Sequence, residues 1–286
     1  IMDIKEIDTK EFGKCITLTA GKVSLTVTTQ LGPRIVSLRY DNGENMLFYD
    51  KDDAVNKSNS LMDKSLAGKG DWHIYGGHRL WKSPEDIHSY YPDNAPVKVE
   101  KTADGVKFSS EYEPTTGIVK SMLISASEDG VFRIEHSFTN EGKAPTQAIS
   151  LWPLTVLDSG ATIKVPYDTS DTGLLPNRNL VLWSYNSIKD PRLTVDDDCI
   201  TVKFDATKKP MKIGLMNTCG KASAYNKGLV FTKSWEVEEG DYPDFSCNME
   251  IYTSNLFTEM ETLSPLKSLG VGETSTHTEY WTLSLQ

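Results

Sequence analysis

Two stretches of this chain gather the side chains that proton transfer and hydroxyl recognition require. Residues 72–85 read WHIYGGHRLWKSPE. Within that run His78 is an imidazole able to donate, accept or pass a proton near neutral pH. Arg79, beside it, offers a rigid fork of donors suited to hydroxyl or carboxylate oxygens. Trp72, Tyr75 and Trp81 supply flat faces on which the C–H side of a sugar ring can lie, and His73 adds a second imidazole. Gly76-Gly77 permits a sharp turn or a close backbone approach. The same composition also suits a buried aromatic cluster beneath a long loop, with His78 satisfied by backbone groups.

The second stretch, residues 248–265, reads NMEIYTSNLFTEMETLSP and holds Glu250, Glu259 and Glu261 in what looks like strand, loop, strand. Glu259 and Glu261 are two apart, so a single strand turns both to one face. Two such carboxylates among Met, Leu and Phe are costly if buried and charged. One of them is therefore expected to be raised in pKa, paired with Arg or Lys, or exposed. A carboxylate so placed can act as a general base or hold sugar hydroxyls; the alternative is a solvent-facing edge strand. Arg34 follows the Gly32-Pro33 turn and reads equally as a pocket residue or a surface ion pair. Trp152-Pro153 reads as an interruption of a strand that sets an aromatic at a pocket rim. His136 reads as a structural histidine in an alternating strand, and His277 with Glu279 as exposed on the last strand.

The elements that must carry these residues are strands. In residues 15–28, Ile16, Leu18, Val23, Leu25 and Val27 alternate with Thr, Ser and Lys, the pattern of a half-buried strand. Asp104-Gly105 and Asp129-Gly130 each separate two β-rich runs, and Asp-Gly supplies the positive φ that tight hairpins demand. Further runs at 162–165, 180–184, 193–204, 212–217, 229–235, 247–253 and 276–284 continue the rhythm, and no long segment shows a 3.6-residue period. Many short strands at close spacing predict an all-β sandwich or barrel, read as one domain over residues 1–286. The irregular excursion at residues 50–94, with three of the five histidines, is expected to be a functional loop.

Composition narrows the function. The 286 residues carry a formal net charge of −10. Such a field repels phosphate backbones, so nucleic acid is not an expected partner. No apolar run approaches the ~20 residues that cross a bilayer, so no membrane association is expected. The first residues show neither an apolar stretch nor a small-residue cleavage site, which predicts a cytoplasmic protein; an already processed secreted form gives the same sequence. Cys15, Cys199, Cys219 and Cys247 are scattered without a CxxC pair and read as buried, inert thiols. No HExxH-type metal spacing, phosphate loop or GxSxG turn occurs, so those classes drop out.

Tyr252-Thr253 followed by Met260-Glu261-Thr262 resembles the aldose 1-epimerase (galactose mutarotase) superfamily, in which a "YT" strand precedes a short "LET"-type strand. The tail as a whole, with GPRI near the start and YGGHRLWKSPE, resembles an uncharacterised branch of that superfamily. The resemblance implies an all-β, mostly antiparallel, galactose mutarotase-like β-supersandwich with a ligand cleft on its concave face. It implies a monosaccharide or sugar derivative as ligand, and that no metal and no cofactor is required. It also implies Glu261 as the base that takes the C1 hydroxyl proton, His78 as the acid at the ring oxygen, and Arg79 orienting ring hydroxyls. The sequence departs from the pattern where such proteins carry an Asn-His segment: residues 147–154 read QAISLWPL, with no histidine. Two readings follow. One is anomer interconversion by Glu261 and His78; the other is sugar binding without catalysis, with Trp72, Trp81, Trp152 and Arg79 as the binding surface. A lyase or hydrolase acting on acidic polysaccharide is disfavoured by the acidic charge balance. Oligomeric state has no signature in the sequence.

Overall fold

The computed structural model describes residues 2–57 and 70–286. In chain order its strands are β1 (Asp3–Thr9), β2 (Gly13–Ala20), β3 (Val23–Thr28), β4 (Ile35–Tyr40), β5 (Asn56–Lys57), β6 (Trp72–His73) and β7 (Gly77–Ser83). There follow β8 (Lys98–Thr102), β9 (Gly105–Ser109), β10 (Ile118–Ala126), β11 (Phe132–Asn140), β12 (Ser150–Leu157), β13 (Thr162–Pro166), β14 (Val181–Leu182) and β15 (Leu193–Val195). The last are β16 (Cys199–Lys203), β17 (Met211–Leu215), β18 (Lys221–Asn226), β19 (Leu229–Trp235), β20 (Met249–Thr253), β21 (Thr258–Thr262) and β22 (Thr274–Leu285).

Two ten-stranded antiparallel sheets take almost all of them. The first runs β1-β2-β3-β4-β7-β12-β21-β20-β17-β14, the second β15-β16-β13-β18-β19-β22-β11-β10-β9-β8, and β5-β6 form a separate pair. Both Asp-Gly hairpins form as expected, β8 with β9 and β10 with β11. Apolar residues from both sheets meet between them, among them Leu18, Leu25, Ile213 and Met260 from one and Phe132, Phe231 and Trp281 from the other. A second cluster, Trp72, Ile74, Trp81, Trp152, Leu154 and Phe257, lies apart from this core. It packs on the outer face of the first sheet's middle strands.

Several expectations are corrected here. Residues 15–28 are two strands, because Gly21, at φ 57, turns the chain between β2 and β3. Pro153 does not interrupt a strand: it sits inside β12 opposite Leu80, and the ladder to β21 begins at the next residue, Leu154. A proline has no N–H to give, and this position lies just outside that ladder. His277 and Glu279 are buried rather than exposed. β22 alternates with period two, and its inward set is Ser275, His277, Glu279, Trp281 and Leu283. Of the cysteines, all free, Cys15 and Cys247 are buried as expected, but Cys219 is exposed. Of the excursion at residues 50–94, residues 58–69 lie outside the described residues.

Candidate functional site

The outer face of the first sheet's middle strands floors a cavity of about 440 Å³, within the ~300–1,000 Å³ of small-molecule sites. Registry explains which side chains meet there. Leu154 pairs with Arg79 on one side and Glu261 on the other, and Glu261 pairs with Glu250, which pairs with Gly214. Directly paired residues share a face, so Arg79, Leu154, Glu261 and Glu250 form one row. The next row holds Val156, Glu259, Tyr252 and Lys212; on the other side Trp81 pairs with Trp152. Gly214 carries no side chain in the first row for a steric reason. A Cβ there would lie 2.5 Å from Cys247 Sγ and 3.2 Å from the Trp183 ring, so its absence makes room for Trp183. Asn186 fixes the segment carrying Trp183 and Tyr185 by bonding both the N–H and the carbonyl of Lys212.

The polar groups are arranged as three ion pairs, made by two cations set among indoles. Arg79 Nη1 donates to Glu259 Oε1 at 3.1 Å, and its guanidinium lies 4.2 Å from the Trp81 ring centre. Lys212 Nζ lies 2.6 Å from Glu250 Oε2 and 3.1 Å from Glu261 Oε2, with Trp152 and Trp183 ring centres at 4.6 and 4.9 Å. Trp152 Nε1 donates to the same Glu261 oxygen at 2.8 Å. Burial works against the ammonium, but Glu261 and Glu250 outweigh it and hold Lys212 well above the usual lysine range. Burial pushes the carboxyl of Glu250 well above its usual range and that of Glu259 upward, with Lys212 and Arg79 opposing. Burial also takes the Tyr252 hydroxyl up to about 12. Trp72 Nε1 and Arg79 Nε in the cavity wall, and Glu261 Oε1 just behind it, have no hydrogen-bond partner among the described residues.

Of the residues singled out in the sequence, Trp72, Arg79, Trp81, Trp152 and Glu259 line this cavity together, and Glu261 lies directly behind Trp152 and Lys212. The others lie elsewhere. His78 adjoins Arg79 on β7, and neighbours on a strand point to opposite faces. Its ring is fully buried between the sheets, edge-on to Trp281 at 4.8 Å. The expected pairing of Glu261 and His78 across one hollow is therefore not what the fold builds. Arg34 is an internal pin. Its Nη1 donates to the carbonyls of Ile74 and Gly76, and its Nη2 meets Asp93 at 2.7 Å. Those bonds tie the excursion to β4. Gly76 and Gly77, at φ 103 and 70, make the close approach expected of them: a Cβ would meet Phe48 O and Ile35 O at 2.0 and 2.2 Å. Tyr75 turns its hydroxyl to Asn94, and His73 Nδ1 lies 2.6 Å from Asp53 Oδ1, so neither reaches the cavity.

His78 belongs to a polar relay in the core. His136 Nδ1 meets the His277 carbonyl, which can only accept, so His136 Nε2 carries the lone pair. His78 Nε2 then donates to it at 2.8 Å, and Thr155 Oγ1 donates to His78 Nδ1 at 2.8 Å. His277 Nε2 donates to Thr262, whose hydroxyl donates to Glu279, itself paired with Lys233 at 3.0 Å. Burial keeps all three rings neutral: His136 and His277 fall to about 4, and His78 lies well below its ordinary value. Among the described residues, His78, His136 and Glu279 are the group whose donor atoms come close enough to share a cation. Each of those imidazole nitrogens already has a protein partner, and Lys233 already neutralises Glu279.

The sequence reading passed over Lys212, Trp183, Tyr185 and Tyr90 as site residues. Lys212 alternates like a solvent-facing lysine, and Trp183 and Tyr185 both lie just after the short edge strand β14. Only their aromatic type marks the latter two.

A scan against protein-family models and a search of curated proteins find no match for this sequence. Solved structures do match. A TPR-domain-containing protein from Parabacteroides distasonis superposes with a TM-score of 0.61 at 16% identity, over 95% of this chain and 47% of its own, so the chain spans about half of that protein's length. A galactose mutarotase-like protein from Clostridium acetobutylicum gives 0.56 at 14% identity, over 100% of this chain and 99% of its own. A provisionally named aldose 1-epimerase from Escherichia coli K12 gives 0.55 at 13%, over 100% of both. At these identities the likeness establishes architecture. The chain carries the galactose mutarotase-like β-sandwich fold.

Proposed function

We propose that the cavity on the first sheet is a carbohydrate-binding cleft that takes a monosaccharide or sugar derivative. The observation that carries this reading is the combination of indole walls with fixed polar pairs. Trp81, Trp152 and Trp183 border a cavity of about 440 Å³ that also presents Arg79, Glu259 and Lys212. A pyranose has an apolar C–H face and a rim of hydroxyls, and it needs both kinds of surface at once. The fold found in the mutarotase-like neighbours supports the reading by analogy.

A second reading, anomer interconversion with Glu261 as base, is favoured by Glu261 Oε1 having no hydrogen-bond partner among the described residues. Against it, Oε2 is committed to Trp152 and Lys212, and among the described residues no histidine lines the cleft. Binding is accordingly the primary conclusion. Titration calorimetry with D-glucose and D-galactose tests binding, and exchange spectroscopy on the same sugars tests interconversion. Saturable heat with anomer exchange at the buffer rate is the expected result. Exchange above that rate, abolished by Glu261→Gln, would establish the second reading instead; no heat from a broad panel of aldoses would refute the first.

A further inference from the structure

Resting on the carbohydrate reading, we infer that the cleft selects an uncharged ring and disfavours its phosphorylated and carboxylated derivatives. A site for an anionic sugar presents cations with open hydrogen-bonding positions, whereas here the buried cations face the protein's own acids. Lys212 lies between Glu250 and Glu261, and its two open sides are covered by Trp152 and Trp183. Arg79 is held by Glu259 on one side and stacked on Trp81 on another. Glu250 and Glu261 are fully buried and Glu259 nearly so, so none of them can turn out to water when an anion arrives.

An entering phosphate or carboxylate therefore has two options. It can displace one of these acids and leave a buried carboxylate without its counterion, the costly case for any buried pair. Otherwise it lies beside them and meets like charge. Among the described rim residues, Lys57 lies over the Tyr90 ring and Glu85 accepts from the Tyr90 hydroxyl. Among the described residues, each buried cation of the cleft is thus already matched inside the protein, Arg79 by Glu259 and Lys212 by Glu250 and Glu261. The chain's net charge of −10 acts in the same direction at longer range. A neutral ring meets none of this, and the paired charges remain available as fixed hydrogen-bond partners for hydroxyls.

The test is calorimetry at physiological ionic strength with D-glucose and D-galactose against D-glucuronate, D-galacturonate and D-glucose 6-phosphate. The wild-type protein should bind at least one neutral sugar about tenfold or more tighter than its anionic counterpart. Glu259→Gln, which releases Arg79, should narrow that preference about tenfold, and the preference in the wild-type protein stands as the test even if the variant fails to fold. Anionic sugars binding as tightly as neutral ones would overturn the inference and leave the carbohydrate reading intact. Absence of binding by every sugar would remove both.

Discussion

Replacing Lys212 by methionine removes the one ammonium that two fully buried carboxyl groups share while keeping a straight side chain between Trp152 and Trp183. Trp152 Nε1 then remains as the hydrogen-bond donor to Glu261. Breaking a buried pair by deleting one partner costs about 3–5 kcal/mol. The lower end is expected here, because burial already holds Glu250 well above the carboxyl range with Lys212 as the largest opposing influence. Without the ammonium, Glu250 keeps its proton to still higher pH, and one charge rather than two is left stranded. The sign with pH follows. A carboxyl whose folded-state pKa is raised stabilises the fold below its unfolded value, and that contribution is lost as pH rises through the folded value. Urea unfolding at pH 8 should therefore show a loss of about 3 kcal/mol relative to wild type, and at pH 5 a clearly smaller one. Adding Glu250→Gln to the variant should recover part of the loss at pH 8. A penalty below about 1 kcal/mol at pH 8, or one that grows on acidification, would refute the assignment of Lys212 as the counterion.

Three further outcomes are expected. His136 and His277 are held neutral by burial down to about pH 4, so a pKa lowered on folding makes stability fall as pH drops from about 6.5 toward 4. The loss is on the order of 3 kcal/mol per ring at most; urea midpoints that stay flat until the carboxylate range would contradict the relay. His78→Gln should destabilise the protein by about 1–3 kcal/mol, the cost of a disrupted buried network, yet leave sugar affinity within about twofold, since the ring faces the other sheet; calorimetry and denaturation on one preparation check both halves. Gly214→Ala puts a methyl 2.5 Å from Cys247 Sγ and 3.2 Å from Trp183, and should weaken ligand binding about tenfold or more by moving the indole, at a stability cost of about 1–3 kcal/mol.

The strands that the sequence displayed most clearly are those with one wet face. β10 and β11 alternate and are punctuated by Asp129-Gly130, so their hairpin was legible. β7 and β12 were not, because every residue in each is buried. One face packs on the other sheet and the other lies under the cleft's aromatic cluster, so the period-two polarity that identifies a strand is erased where the site is built. The same cause misplaced His78. GGHRLW reads as one polar–aromatic patch until it is laid on a strand, whereupon Arg79 and Trp81 go to the cleft and His78 and Leu80 to the core. Glu259 and Glu261 were placed correctly on a shared face by their spacing, and of the three outcomes open to them the structure shows pairing, with Arg79 and Lys212, and for Glu259 a raised pKa as well. Their partners' identities were out of reach, since Lys212 lies 49 positions from Glu261 and only the β17–β20–β21 order brings them together. His277 and Glu279 misled for the converse reason: a polar ladder alternating inward looks in sequence like one alternating outward.

Saturation-transfer NMR addresses the cleft itself, by irradiating the protein's aromatic protons in the presence of D-glucose or D-galactose and reading the sugar's ring protons. Transfer to one face of the pyranose in the wild-type protein, lost in the Trp81→Ala/Trp183→Ala variant while its β-sheet circular dichroism persists, is the result expected of a ring seated between those indoles. Equal transfer in both proteins, or none to any aldose, would contradict the claim that this cavity binds carbohydrate.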